Sequence, residues 1–169
     1  MGDIADRRAV PALAAALGDP ADIVRERVVE ALSAIGDPAA TEPLIRALDD
    51  GEWVVRSLAA SGLGDLRDAR AVGPLVGLLG DEDEYVRTRA VEALLSIGGR
   101  TAHEPLSRAL GDESPEVRIA VLSALATLGG TDAIPLLTRA LGDGDESVRK
   151  NAARALDQAR KAPGEAAGG

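Results

Sequence analysis

Apolar residues recur along this chain at helical spacing, in two alternating stripes of unequal length. The longer stripe, exemplified by Val86 to Ile97, follows the i, i+4, i+7, i+8, i+11 series of a buried helix face. A shorter stripe from Leu75 to Leu79 precedes it, and an acidic segment containing glycine separates the two. No segment shows strand alternation. The pattern predicts a helix hairpin, with helices over roughly 41 to 48 and roughly 52 to 66 in the second unit.

The hairpin pattern returns every 31 residues without insertion or deletion. A Val-Arg pair marks each copy, at Val24-Arg25, Val55-Arg56, Val86-Arg87, Val117-Arg118 and Val148-Arg149. An aspartate precedes the arginine by six positions in every unit, at Asp19, Asp50, Asp81, Asp112 and Asp143. One hairpin cannot bury its apolar face alone, so neighbouring hairpins must stack. The sequence therefore predicts an all-α solenoid of five hairpins in one domain over 1–161, with a flexible tail over 162–169.

These columns resemble the short bacterial and archaeal HEAT repeats over residues 3–160. A unit such as GDLRDARAVGPLVGLLGDEDEYVRTRAVEALLSIGG carries the Asp, Val-Arg, Ala and Leu columns together, as all five units do. The same repeat underlies phycobilin lyase subunits and the artificial αRep binders. The resemblance implies a right-handed α-solenoid whose first helices line the convex side. Its second helices then line the concave side, which is the usual binding surface.

The repeated aspartate and arginine are interpreted as structural. Each aspartate precedes a second helix, where an acid suits exposed amide groups and the helix dipole. Each arginine lies one turn inside that helix, within reach of an aspartate of its own or an adjacent unit. A pair repeated five times favours a role in stacking over a single active site.

Binding is expected where the repeats differ, on the second helices. The chain has one tryptophan and one tyrosine, and both lie at variable positions in adjacent units. Such residues are enriched in interface hot spots. The alternative is local packing, with Trp53 covering its own hairpin and Tyr85 the neighbouring loop. The predicted partner-binding residues are Ile23, Arg27, Trp53, Val54, Leu58, Tyr85, Arg89 and Ile119.

Charge and hydropathy narrow the partner class. Acidic residues outnumber basic ones by 28 to 19, giving a net charge of −9. A nucleic-acid surface would need a stripe of lysine and arginine, so no nucleic-acid partner is expected. The N-terminus lacks an apolar secretion signal, and no apolar stretch is long enough for a membrane. We expect a cytoplasmic protein with no membrane partner.

Catalytic motifs are scarce. The single histidine, His103, occupies a first-helix column of apolar residues and threonine, and cysteine is absent. Gly62-Leu63-Gly64 lies late in a second helix, where tight helix packing explains it better than phosphate binding. The acidic run 81–84 lacks the ligand spacing of a calcium loop and suits a solvated helix start. We predict no catalytic residues, cofactor or metal site.

The sequence thus predicts a non-enzymatic scaffold that holds another protein on the concave face of its second helices. One alternative is a chaperone or catalytic subunit like the phycobilin lyases, and another is an artificial scaffold with no natural partner. A monomer is expected. End-to-end association stays open because the first unit has no obvious polar cap, whereas the last is more polar.

Overall fold

A computed structural model describes residues 7–98, 102–128 and 130–161 of the chain. Throughout these ranges the regular structure is helical, which confirms the predicted all-α repeat fold. The chain divides into two compact units, Met1–Ile97 and Gly98–Gly169. One domain over 1–161 stays a prediction, and the predicted tail over 162–169 lies outside the described residues.

Each repeat pairs a short first helix with a long second helix. In the first unit the helices are α1 (Val10–Ala16), α2 (Asp22–Ile35), α3 (Thr41–Ala47), α4 (Trp53–Leu66), α5 (Val72–Leu78) and α6 (Glu84–Ile97). In the second unit they are α7 (His103–Ala109), α8 (Pro115–Leu128), α9 (Ile134–Ala140) and α10 (Glu146–Lys161). The bounds of α3 and α4 agree with the predicted hairpin to within one residue at each end. Within the described ranges, no helix has the length and hydropathy needed to cross a membrane.

The repeated leucines form the core of each unit. In the first unit α4 packs against both α2 and α6, and Leu32, Leu63 and Leu94 on these helices are fully buried. In the second unit α8 packs against α10, and Leu125 is fully buried there. These side chains occupy the same position of successive hairpins, so each hairpin completes the core of its neighbour within a unit.

Left-handed glycines end two of the second helices. Gly36 after α2 has φ +66°, and Gly98 after α6 has φ +75°. A residue with a Cβ is strained in this conformation, so glycine suits a helix end. Gly36 and Gly98 therefore end α2 and α6.

The repeated aspartate precedes each second helix and, as predicted, accepts from a backbone amide group at the helix start, that of the N-cap residue. Asp50 Oδ1 accepts a hydrogen bond of 2.9 Å from the backbone N–H of Glu52, which is itself extended and precedes α4. Where a side chain does cap a second helix, it lies two residues later. Asp83 accepts from the N–H groups of Tyr85 and Val86 at 2.8 and 3.3 Å. The repeated aspartate thereby shapes the loop as an Asx turn, and the carboxylates of Asp50, Asp81 and Asp143 also reach the preceding repeat.

That carboxylate binds the arginine of the preceding repeat. Arg56 Nε and Nη2 donate to Asp81 Oδ2 and Oδ1 at 2.7 and 2.9 Å. Its Nη1 donates to the backbone carbonyls of Asp50 and Gly51 in its own loop. The same bidentate bridge joins Arg25 to Asp50 and Arg118 to Asp143. Each of these arginines therefore ties its own loop to the loop of the next hairpin.

Two glycines let α4 approach its neighbours closely. A Cβ on Gly64 would stand 2.9 Å from the backbone Cα of Ala93 in α6, a distance that real Cβ atoms avoid. A Cβ on Gly62 would collide with Ser33 of α2. The interpretation of Gly62 as a packing residue is confirmed, and the structure adds Gly64, since both lie in α4 against adjacent second helices.

We expect Gly64→Ala to destabilise the chain by about 1 to 3 kcal/mol, because α6 must shift to admit the methyl group. Gly73→Ala is the matched control, since Gly73 lies in α5 and nothing within 4 Å would contact its Cβ. That control should be neutral or stabilising by up to about 1 kcal/mol. Urea unfolding of both variants measures the difference. Equal free energies of unfolding would contradict the close approach of α4 and α6.

Candidate functional site

The second helices of the first unit each present one stripe of residues that are exposed or half-buried, at the i, i+4, i+7, i+11 spacing. The stripes are Ile23, Arg27, Glu30 and Ala34 on α2; Val54, Leu58, Ser61 and Asp65 on α4; and Tyr85, Arg89, Glu92 and Ser96 on α6. We call these residues, together with Trp53, the second-helix face. It contains seven of the eight residues predicted to bind a partner.

The bridged repeats place equivalent positions of the three stripes side by side, with α4 in the middle. The first row across the face is Ile23, Val54 and Tyr85, with Trp53 beside it. The second row is Arg27, Leu58 and Arg89, and the third is Glu30, Ser61 and Glu92. The face thus has an apolar edge at the helix starts and an aliphatic centre on α4.

The two aromatic residues contact each other at the apolar edge. The ring centroids of Trp53 and Tyr85 lie 5.7 Å apart with an interplanar angle of 84°, an edge-to-face pair. Neither ring is buried by the contact, since Trp53 stays 43% exposed and Tyr85 45% exposed. Ile23 in the same edge is 51% exposed. The edge is therefore an exposed apolar patch with fixed ring geometry.

Arg89 also contacts Tyr85. Its guanidinium carbon lies 4.6 Å from the centroid of the Tyr85 ring, and its Nη2 donates to Tyr85 Oη at 2.6 Å. Its Nη1 donates to Glu92 Oε2 at 2.6 Å, and Arg27 on α2 makes the equivalent i, i+3 bond to Glu30 at 2.7 Å. Two Arg–Glu pairs thus flank the half-buried Leu58 on α4.

This arrangement bears on whether the aromatic residues form a contact surface or serve local packing. Trp53 and Tyr85 do pack locally, but on each other and on Arg89, and nearly half of each side chain faces solvent. Sequence analysis missed the ring contact and the Arg–Glu pairs. The signals were present: an arginine with a glutamate three positions later on α2 and α6, and two aromatic residues 32 positions apart, one more than the period. Partner binding by this face stays a prediction.

Ile119 stands apart from the other predicted residues. It lies half-buried on α8 in the second unit, whose outward stripe is Glu116, Ala120, Ser123 and Thr127. Its equivalent on α4 is Ser57, which is only 4% exposed. Ile119 therefore occupies the side of α8 next to its outward stripe, and its role in binding stays a prediction.

The other residues considered as candidates for chemistry are His103 and the acidic run 81–84. His103 begins α7 and is half-buried, with Nε2 buried and without a hydrogen bond among the described residues. In the acidic run, Asp83 caps α6 while the Glu82 side chain is 88% exposed, as expected for a solvated helix start. Within the parts of the chain that the structure describes, no group of three or more histidines and carboxylates is placed to hold a metal ion.

Comparison with known proteins identifies the repeat. The HEAT repeats family matches residues 1–61, 41–115 and 103–167. This chain belongs to the HEAT repeat family. A search of curated proteins found no match.

Two solved structures illustrate what this HEAT chain is similar to. One is the complex of CpcE and CpcF of phycocyanin lyase from Nostoc sp. PCC7120, at 30% identity and a TM-score of 0.74, covering 89% of this chain. This chain spans only 65% of the lyase chain. The other is a designed armadillo repeat protein in complex with the peptide (KR)4, at 28% identity and a TM-score of 0.66, covering 89% of this chain and 82% of that one.

A double-mutant cycle on Trp53→Ala and Tyr85→Ala separates a contact surface from local packing. Each single substitution should destabilise the chain by about 1 kcal/mol or less, with a coupling of about 0.5 to 1.5 kcal/mol from the edge-to-face contact. Chemical unfolding followed by circular dichroism measures all four proteins. A loss of about 3 kcal/mol or more from Trp53→Ala alone would show that the ring serves the fold.

Proposed function

We propose that this HEAT repeat chain is a non-enzymatic, cytoplasmic scaffold that binds another protein on its second-helix face as a monomer. The observation that carries the proposal is the Trp53–Tyr85 pair, which is half exposed yet fixed in geometry by the ring contact and by Arg89. Fixed aromatic side chains bury a large area on binding and lose little conformational freedom.

The surroundings of the pair suit a protein interface. Val54 and Leu58 supply an aliphatic centre on α4, and the Arg–Glu pairs of α2 and α6 supply a polar rim on either side of it. An apolar centre within a polar rim is the usual anatomy of such interfaces. The solved relatives support the class of function, since one was captured as a complex of two lyase proteins and another with a bound peptide.

The predicted residues then divide by role. Trp53 and Tyr85 are the anchors, Ile23, Val54 and Leu58 extend the apolar contact, and Arg27 and Arg89 donate hydrogen bonds at the rim. Ile119 contributes a contact within the second unit if the partner extends that far. The first helices lie outside this surface and serve the stacking of the repeats.

A function like that of the phycocyanin lyase proteins is the second candidate. It is favoured by the 30% identity to the lyase complex over 89% of this chain. Co-expression with a bilin distinguishes it, because only a bilin-handling protein should give a coloured complex with visible absorbance. A colourless protein under conditions that load a known lyase would leave the scaffold proposal in place.

The scaffold proposal predicts a partner whose binding depends on the aromatic pair. Affinity capture from a lysate of the source cells should retain a protein with the wild-type chain and lose it with a Trp53→Ala/Tyr85→Ala double variant shown by circular dichroism to be folded. Removal of two hot-spot rings typically weakens binding by about 2 kcal/mol or more, which is about 30-fold or more.

Leu141→Ala is the matched control for this capture. Leu141 is an exposed aliphatic residue at 39% exposure that follows α9 in the second unit and is not one of the residues of the second-helix face. The Leu141 variant should retain the same partner as wild type. If the double variant retains the partner equally well, the second-helix face is not the binding surface and the proposal fails.

A further inference from the structure

The exposed aromatic pair lies among carboxylates at the helix starts. Asp22 and Glu84 occupy the Trp53 position in the preceding and following repeats, and Glu52 directly precedes Trp53. All three residues are exposed. Since Trp53 contacts Tyr85 across α4 and α6, the chain neighbours Glu52 and Glu84 lie at the same edge of the face. The aromatic patch therefore has an acidic margin.

Salt bridges pair the acids deeper on the face but not those at its edge. The two glutamates deeper on the face, Glu30 and Glu92, are paired with Arg27 and Arg89. Asp22, Glu52 and Glu84 form no salt bridge with any described residue, although Arg25, which bridges to Asp50, is close enough to Asp22 and Glu52 for an electrostatic attraction. The whole chain has net charge −9, so distant charges do not reverse the local excess. A partner segment that reaches this edge meets exposed carboxylates that have no salt bridge.

The aromatic pair already stacks one cation. Arg89 lies over the Tyr85 ring at 4.6 Å, a cation–π contact made within the chain itself. Indole is a better cation acceptor than phenol, and the Trp53 side chain is 43% exposed without a cation of its own among the described contacts. The Trp53 ring and the nearby carboxylates can therefore both attract the same lysine or arginine, through a cation–π contact and through opposite charge.

We propose that this edge receives a lysine- or arginine-bearing segment of the partner, whose cation lies against Trp53 between the Glu52 and Glu84 carboxylates. This inference rests on the proposed function and specifies the chemistry of its ligand. The apolar row and Leu58 take the aliphatic part of the segment, while the acidic margin selects its charge. Acidic segments are repelled at the same edge.

Acids at helix starts also have a structural explanation, because they complement the helix dipole. The two explanations differ in what the acids do to a ligand. A purely structural role predicts that their removal changes stability alone, whereas the proposal predicts a change in binding with charge selectivity.

Trp53 is the only tryptophan of the chain, so its fluorescence reports on this site directly. The full chain is titrated with three octapeptides, in which serine alternates with lysine, glutamate or glutamine. The lysine peptide should shift Trp53 emission with a saturable curve, and the other two should bind at least about 10-fold more weakly. Raising the salt from about 50 to about 300 mM should weaken the lysine peptide severalfold.

Matched variants show which side chains are responsible for binding of the lysine peptide. Binding is followed by the fluorescence anisotropy of a labelled lysine peptide. Trp53→Leu keeps an apolar side chain but removes the π face, and should weaken binding about 3- to 30-fold. Glu52→Gln/Glu84→Gln should weaken it about 3- to 10-fold. Glu42→Gln/Glu104→Gln removes the same charge from exposed positions on the first helices α3 and α7, and should leave binding unchanged.

Several results would overturn the inference. Equal loss in the two glutamate double variants would mean that net charge alone attracts the peptide. Absence of binding by the lysine peptide, or equal binding of the glutamine peptide, would reject a basic ligand. None of these results rejects a protein partner, which the capture with the Trp53→Ala/Tyr85→Ala variant tests separately. If the Trp53→Ala/Tyr85→Ala variant loses the captured partner while the peptides bind regardless of charge, the scaffold proposal stands and only the inference of a basic ligand is rejected.

Discussion

The bidentate bridge between an arginine and the aspartate of the next repeat is the interaction on which the arrangement of the hairpins depends. The Arg56 and Asp81 side chains are 9% and 8% exposed, so both charged groups are largely desolvated. Arg56 also donates to two carbonyls of its own loop, and Asp81 accepts from the N–H of Asp83. Such a pair tolerates burial only when its hydrogen bonds are complete, which demands one register between neighbouring hairpins.

The ionised state of the aspartates is consistent with this role. Burial raises the pKa of Asp81, but the hydrogen bonds from Arg56 and from the Asp83 backbone outweigh burial and leave the pKa below its ordinary value. For Asp50 the hydrogen bond from Arg25 is the leading cause of a lowered pKa. Because the folded-state pKa values are depressed, this stabilisation is present above the ordinary aspartate range and is lost as the pH falls through and below it.

The second-helix face is a consequence of that register. With hairpins held one repeat apart, Val54 of α4 aligns with Tyr85 of α6, and Trp53 at the start of α4 meets the Tyr85 ring. The glycines of α4 complete the arrangement, because Gly64 lets the later turns of α4 and α6 lie close together. A slip of one position would separate the rings and turn the stripe away from solvent.

Much of the fold was predictable from the sequence because the strict period allows each residue to be compared with its equivalents in the other four repeats. The leucine columns, the helix bounds of the second repeat and the structural role of the Asp–Arg columns follow from recurrence, whereas the structure was needed to show that Arg56 binds the aspartate of the next repeat. The ring pair does not, because it belongs to one pair of repeats and has no equivalent to compare. Capping varies from repeat to repeat: Asp83, Ser114 and Asp145 cap their second helices, whereas the equivalent Ala21 and Glu52 make no side-chain cap. The site itself was predictable as a set of variable positions, but its geometry depends on side-chain directions that spacing does not specify.

The most direct test of this account is a double-mutant cycle on Arg56→Met and Asp81→Asn, with the free energy of unfolding measured by urea and Trp53 fluorescence. Each single variant leaves one buried group without its partner and should lose about 3 kcal/mol. The double variant should lose less than the sum of the two by at least about 1 kcal/mol. Losses that are small, or that add without coupling, would contradict the claim that the bridge holds the hairpins in register.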